Sequence, residues 1–360
     1  MFAADDAEAR GDAEAALALM SEMLLGPDGQ PFWRPWRVRY LTQLAYLGPL
    51  LPRWATSRWI LAQALQSLHE GSRDRVRRAL GIAIEVRGGE AELPGMDDRD
   101  AKCKVMDHDW VYRQVFLYEL GGLQDFLRRR ATADLVAGAD RIREWARVPM
   151  GAYRLLDRAA DVTTWEDLGT GAEIGLANIG SGALVLPEER VIGRLVPIEG
   201  GSMFEAAPLV VTRGVAEQVA EDPAGWVDSL LAARGRIGRS VIVTSGRESG
   251  LVSDVPAVIW RYAVLEPSGP IPPSDLAPAS AKAILELARV QLVTPVDDDP
   301  SDLDAWACLS AGLLEPGVSL ALLELMEPKD RELLRQLAKR LAEPAASLCR
   351  RLDADLGQAA

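Results

Sequence analysis

Residues 185–211 read VLPEERVIGRLVPIEGGSMFEAAPLVV. Short apolar runs alternate here with turn clusters, PEE and EGG, a spacing that suits hairpins and is too short for helices. Thr163–Leu168, Ala183–Leu186, Arg190–Val196 and Pro208–Val211 are read as extended runs, separated by the GTG and GSG turns as well. The expected unit is an antiparallel meander of about five strands, closed as a small barrel or half-barrel. Strands this short need a neighbour to cover their apolar face, so the module is expected to pack on helices.

The pattern on either side is helical. Asp5 to Leu25 carries Ala16, Leu17, Met20, Met23 and Leu24 at helical spacing and ends at GPDG. Helices are expected from Pro35 through Leu47, from Thr56 or Ser57 to Leu68, and from Ser72 onward. Ala101–Leu120, Leu123–Arg130, Thr132–Val148 and Gly214–Ala233 follow. Ser240–Thr244 and Val255–Val264 are ambiguous between states. The stretch EPSGPIPPSDLAP, with five prolines, reads as a linker. Beyond it, Ala279–Leu292, Ser301–Leu314, Ser319–Met326 and Lys329–Leu352 read as helices.

The expected fold class is therefore α+β, mainly α. A helical bundle (1–150) precedes a small antiparallel β module with helices (151–265), then the linker (266–278) and C-terminal helices (279–360). The fragment ARGDAEAALALM resembles the start of a tetratricopeptide helix, but no 34-residue period follows it.

The chain of 360 residues has a formal charge of −13, yet Pro31 to Arg87 holds ten arginines, no lysine and three acids. Within it, FWRPWRVRYL and LPRWATSRWIL interleave arginine with Trp33, Trp36, Trp54 and Trp59. Guanidinium forks suit phosphate or carboxylate, and indole faces suit stacking. Trp33, Arg34, Trp36, Arg37, Arg39, Arg53 and Arg58 are the candidate partner-binding residues. The plainer alternative is a core of tryptophans whose arginines snorkel outward or pair with the acidic N-terminal helix. Arginine is also abundant throughout the chain, so part of this excess is compositional.

The second candidate is KCKVMDHDWVYRQVFLYE, Lys102 to Glu119, with Asp107, His108 and Asp109 adjacent. Neighbouring residues on a helix point about 100° apart, so the three converge on one ion only in a loop. A metal-dependent hydrolase at these residues is the enzyme alternative. The plainer role is Asp107 or Asp109 capping a helix. VIVTSGRESG lacks the lysine of a phosphate-binding loop and the register of a nucleophile elbow. DDDPSDLD has Pro300 where a calcium loop tolerates none, and Ser301 or Asp302 reads as a helix cap. His69 falls near a helix C-terminus, a favourable place for its charge.

Cys103, Cys308 and Cys349 are far apart and form no zinc spacing, which fits free thiols in a reducing cytoplasm. The N-terminus is acidic from Asp5, unlike a secretory signal, and no apolar run approaches the ~20 residues of a membrane span. No cofactor and no metal are expected.

GPDGQPFWRPWRVRYLTQLAYLGPLLPRWATSRWILAQAL, KVMDHDWVYRQVFLYELGGL and VIGRLVPIEGGSMFEAAPLVV together resemble a group of uncharacterised actinobacterial proteins. That resemblance implies no catalytic or binding residue. The PEERVIGRLVPI meander is similar to small β modules beside SEC-C metal-binding tails, whose cysteine pattern the C-terminal residues lack. The expectation is a cytoplasmic, non-enzymatic interaction or regulatory protein that meets an acidic partner protein through the Arg/Trp surface. Nucleic-acid binding by the same patch is the runner-up.

Overall fold

The computed structural model describes residues 3–22, 32–67, 72–89, 102–103, 105–106, 109–183, 185–237, 273–293 and 304–358. The architecture is α+β and mainly α, with helices at both ends of a small antiparallel sheet. Ser240–Thr244, Val255–Val264 and His69 lie outside the described residues.

The N-terminal helices are α1 (Ala3–Ala9), α2 (Ala13–Ser21), α3 (Pro35–Leu47), α4 (Arg53–Gln66) and α5 (Arg73–Arg87). The single helix expected from Asp5 is two. Gly11 takes φ +81° between them, and Asp12 caps α2 by accepting from the Ala15 N–H at 2.9 Å. α4 starts earlier than expected, with Pro52 at its cap instead of Thr56 or Ser57.

Asp109 caps α6 (Trp110–Gln114), whose chain widens into a π-helical turn over Val115–Glu119. Gly121, at φ +69°, ends that turn and starts α7 (Gly122–Arg129). The helix expected over Thr132–Val148 is instead α8 (Ala133–Gly138), capped by Thr132, and α9 (Ile142–Trp145).

The five-stranded sheet is an open one with order β3-β2-β1-β4-β7, and β5 and β6 form a separate hairpin. β1 (Gly151–Arg158) is central. It pairs with β2 (Val162–Asp167), Leu155 opposite Trp165, and with β4 (Arg190–Gly193), Ala152 opposite Ile192. β3 (Glu173–Ala177) and β7 (Leu209–Val211) are the edges. β5 (Leu195–Ile198) and β6 (Gly201–Phe204) make the hairpin.

The strand expected over Arg190–Val196 thus breaks at Arg194, whose guanidinium turns into the helical layer. At the break, a Cβ on Gly193 would come within 3.1 Å of the Phe204 ring and of Pro208. Ala183–Leu186 forms no strand among its described residues, and β1 and β3 fall outside the runs expected from the sequence. Tyr153, Leu155, Trp165, Leu176, Val185, Val191 and Phe204 fill one face of the sheet. Trp165 and Tyr153 meet Phe204 edge-on at 5.0 and 5.2 Å.

α10 (Arg213–Glu221) packs on β1 and β4, and α11 (Trp226–Ile237) packs on α5. The C-terminal helices are α12 (Pro273–Val293), α13 (Ala305–Leu313), α14 (Pro316–Leu325), α15 (Arg331–Leu337) and α16 (Ala345–Gln358). α12 begins inside the Pro-rich stretch read as a linker. Asp304 caps α13, accepting from the Trp306 and Ala307 N–H groups, and also accepts from Asn178. One continuous apolar core runs from Ala4 through Trp59, Phe116, Ile192 and Trp226 to Leu356.

The π turn has no room to spare. A Cβ on Gly122 would lie 2.6 Å from the Phe116 carbonyl oxygen. Gly122→Ala is expected to destabilise the chain by about 2 kcal/mol, as overpacking does, measured by chemical denaturation. Unchanged stability would contradict this geometry.

Candidate functional site

The Arg/Trp stretch is turned inward. Arg37 donates to Asp5 at 2.5 Å and to Glu8 at 2.6 Å while standing over the Trp33 ring at 5.2 Å. Glu8 also accepts from the Trp59 indole N–H at 3.0 Å, and its backbone oxygen accepts from Gln63. Trp33 donates to the Met20 carbonyl. Arg53 donates to the carbonyls of Ala137 and Ala139, at 2.6 and 2.8 Å. Arg58 is buried over Trp54 and donates to the Phe204 carbonyl at 2.8 Å.

Arg37 and Arg58 are therefore engaged inside the fold, and with Trp33, Trp54 and Trp59 they do not line one exposed face, while Arg53 is exposed but tied to the carbonyls of Ala137 and Ala139. Arg34 is exposed. The side chains of Trp36 and Arg39 lie outside the described residues.

Asp107 and His108 also lie outside the described residues. Asp109 is buried. It accepts from the Tyr112 N–H at 2.6 Å and pairs with Arg87 at 2.6 Å, so it serves as a helix cap. Among the described residues no group of three or more His, Cys, Asp or Glu side chains could hold a metal ion.

The main polar joint lies between α6 and the β module. Glu205, on the strand-connecting segment after β6, accepts from Arg113 at 2.6 Å and from Gln114 at 2.7 Å. Gln114 accepts in turn from Arg194 at 2.9 Å. Arg194 also donates to the Val148 carbonyl and pairs with Glu119, which accepts from the Trp226 indole at 2.9 Å.

The Tyr118 ring lies 4.2 Å from the Arg194 guanidinium. Burial, then the charge of Glu205, holds the Tyr118 phenol well above the ordinary tyrosine range. Burial works against the charge on Arg113, but Glu205 overrides it and holds Arg113 protonated. Each charge in this joint has a partner, as burial requires. The sequence motif around Asp107 contained Arg113, Gln114 and Glu119, but nothing in their spacing announced that Arg194 and Glu205 would complete the set.

A second arginine cluster faces outward. Asp125, in the first turn of α7, pairs with Arg128 and Arg129 at 2.7 Å each and with Arg75 of α5 at 3.6 Å. Arg75 is further fixed by donating to the Leu120 carbonyl at 2.9 Å. The Asp125 side chain is 8% exposed, against 69% for Arg128 and 58% for Arg129. Arg78, exposed, lies one turn beyond Arg75 on the same flank of α5. Arg73, Arg77 and Arg130 are exposed nearby in sequence, with Arg77 paired to Asp74. Arg73 to Arg78 belong to the basic segment already visible in the sequence, whereas the contribution of α7 does not.

No protein-family model, curated protein or solved structure matches this chain. No single helix among the described residues is long and apolar enough to cross a membrane.

Acidification acts in opposite directions at the two ends of the molecule. Burial raises Glu8 above its ordinary 4.5, outweighing Arg37 and Trp59, and raises Asp109 above 3.8 despite Arg87. The stabilisation from protonating these groups is present below their ordinary values and is lost as pH rises through the raised ones.

At the other end, the Arg331 hydrogen bond lowers Asp353. Burial is overcome at Asp330 by the Glu327 N–H and Arg289, and at Glu343 by Ser347 and Arg350, so both are lowered too. Their stabilisation is present above the ordinary values and is lost as pH falls through the lowered ones.

Hydrogen exchange from pH 7 to about pH 4 is expected to show α1–α4 gaining protection relative to α15–α16. Parallel loss at both ends would contradict the assignment. Arg37→Ala strips Glu8 of its ion pair and is expected to cost about 3 kcal/mol in urea denaturation.

Proposed function

We propose that this chain is a non-enzymatic protein-interaction or regulatory protein that docks an acidic surface of another protein through the arginines of α5 and α7. The observation that carries the reading is the convergence of Arg75, Arg128 and Arg129 on the single carboxylate of Asp125. Three guanidiniums share one anion, and two of them are more than half exposed. The cluster therefore keeps an excess of positive charge on a chain whose formal charge is −13. Such a local excess steers an anionic surface into register within the ~8–10 Å that salt leaves unscreened.

This moves the docking surface away from the Arg/Trp stretch, where Arg37, Arg53 and Arg58 already hold carboxylates and backbone carbonyls of the same chain. The whole-chain charge disfavours a long polyanion more than a local acidic patch, which favours a protein partner over nucleic acid. The cytoplasm is the compartment this reading implies. Cys308 and Cys349 are buried free thiols, each pushed up to about 12 by burial, and fit a reducing setting.

The test is binding of a labelled polyglutamate peptide at about 0.1 M salt. The double variant Arg128→Ala/Arg129→Ala, which keeps Asp125 paired with Arg75, is expected to weaken it about tenfold with the fold intact by circular dichroism. Binding unaffected by the double variant, or tighter binding of a single-stranded oligonucleotide than of the peptide, would refute the reading.

A further inference from the structure

On the basis of that docking reading, we infer that the group the Asp125 cluster recognises is a phosphate monoester carried by the partner, a phosphorylated serine or threonine side chain. The charge count points to it. Arg75, Arg128 and Arg129 bring three positive charges and Asp125 removes one, so the cluster is matched by a dianion. A phosphate monoester carries about −1.5 to −2 at neutral pH, a carboxylate or a nucleic-acid phosphodiester only about −1.

The geometry agrees with the count. Asp125 is held in the first turn of α7 and is nearly closed to solvent. It engages Arg128 through Nη2 and Arg129 through Nε, both at the same oxygen, Oδ1. Each guanidinium has five N–H donors in a planar fork. A contact to Asp125 anchors each guanidinium, and both side chains are mostly exposed.

Arg75, mostly covered over the Phe116 ring, is held from two sides, by the Leu120 carbonyl and by Asp125, so it adds a fixed positive charge beneath the two exposed forks. Arg78, one turn along α5, is placed to meet a phosphate oxygen or an acidic residue beside the phosphorylated one. Bidentate arginine is the general means of phosphate recognition, and a lysine in its place offers only a point charge.

The experiment uses the full chain and three labelled acidic peptides of one sequence, with phosphoserine, glutamate or serine at the central position, followed by fluorescence anisotropy. The phosphoserine peptide is expected to bind at least tenfold tighter than the glutamate peptide. The variant Arg128→Lys/Arg129→Lys keeps the charge and removes the forks. It is expected to narrow that preference to below threefold, weakening the phosphoserine peptide more than the glutamate peptide.

Equal affinity for the phosphoserine and glutamate peptides, with both lost in Arg128→Ala/Arg129→Ala, would overturn the phosphate assignment and leave acidic docking standing. A preference that survives the lysine variant intact would also overturn it. Failure of all three peptides to bind would remove the docking reading itself.

Discussion

At Glu205 a nearly dry carboxylate leaves the β module and meets Arg113 and Gln114 of α6. The Glu205 backbone N–H reaches back to the Arg194 carbonyl at 2.9 Å, and the Arg194 side chain returns to Gln114 and Glu119. Breaking such a buried set by removing one member leaves an uncompensated charge, which costs several kcal/mol, whereas the intact set costs little. The joint therefore admits one arrangement of helices against sheet. It also accounts for two local irregularities. The strand breaks at Arg194 because that side chain is needed in the helical layer. The π turn at Val115–Glu119 presents Tyr118 and Glu119 to the same joint, consistent with the tendency of such turns to carry special roles.

The arginine-rich first part of the chain divides into two uses. Arg37, Arg53 and Arg58 spend their donors on Asp5, Glu8 and backbone carbonyls of distant segments, tying α3 and α4 to α1, α8 and the β module. Arg87 does the same for the start of α6. Arg75, Arg128 and Arg129 share one acid among three, and Arg128 and Arg129 stand at the surface while Arg75 is mostly covered. The distinction rests on stoichiometry and exposure and not on residue type, and it separates a scaffold from a surface able to bind.

Much of the fold was legible in the sequence, because helices and turns declare themselves locally. The α+β class, the capping role of Asp109, and the interruption at Gly121–Gly122 all follow from short-range patterns, whereas Ser72 precedes α5 without a side-chain cap. What was not legible depends on contacts distant in sequence. Arg190–Val196 has the pattern of one strand, and only Gln114 and Glu119, some 80 residues away, make Arg194 a break. The long helix expected at Thr132–Val148 divides because Asp140 and Ser57 exchange hydrogen bonds across the helical layer. The internal use of Arg37 was open in the sequence as a pairing with the acidic N-terminal helix, and Asp5 and Glu8 supply it. The Asp125 cluster needed Arg75 of α5 within reach of Asp125 on α7, which no spacing encodes.

The most direct measurement is amide hydrogen exchange of the full chain with and without a saturating acidic peptide. The account predicts new protection confined to residues 73–78 and 122–130, with 33–60 unchanged because Arg37, Arg53 and Arg58 are already bonded within the chain. Protection centred on residues 33–60 with none at 122–130 would contradict it.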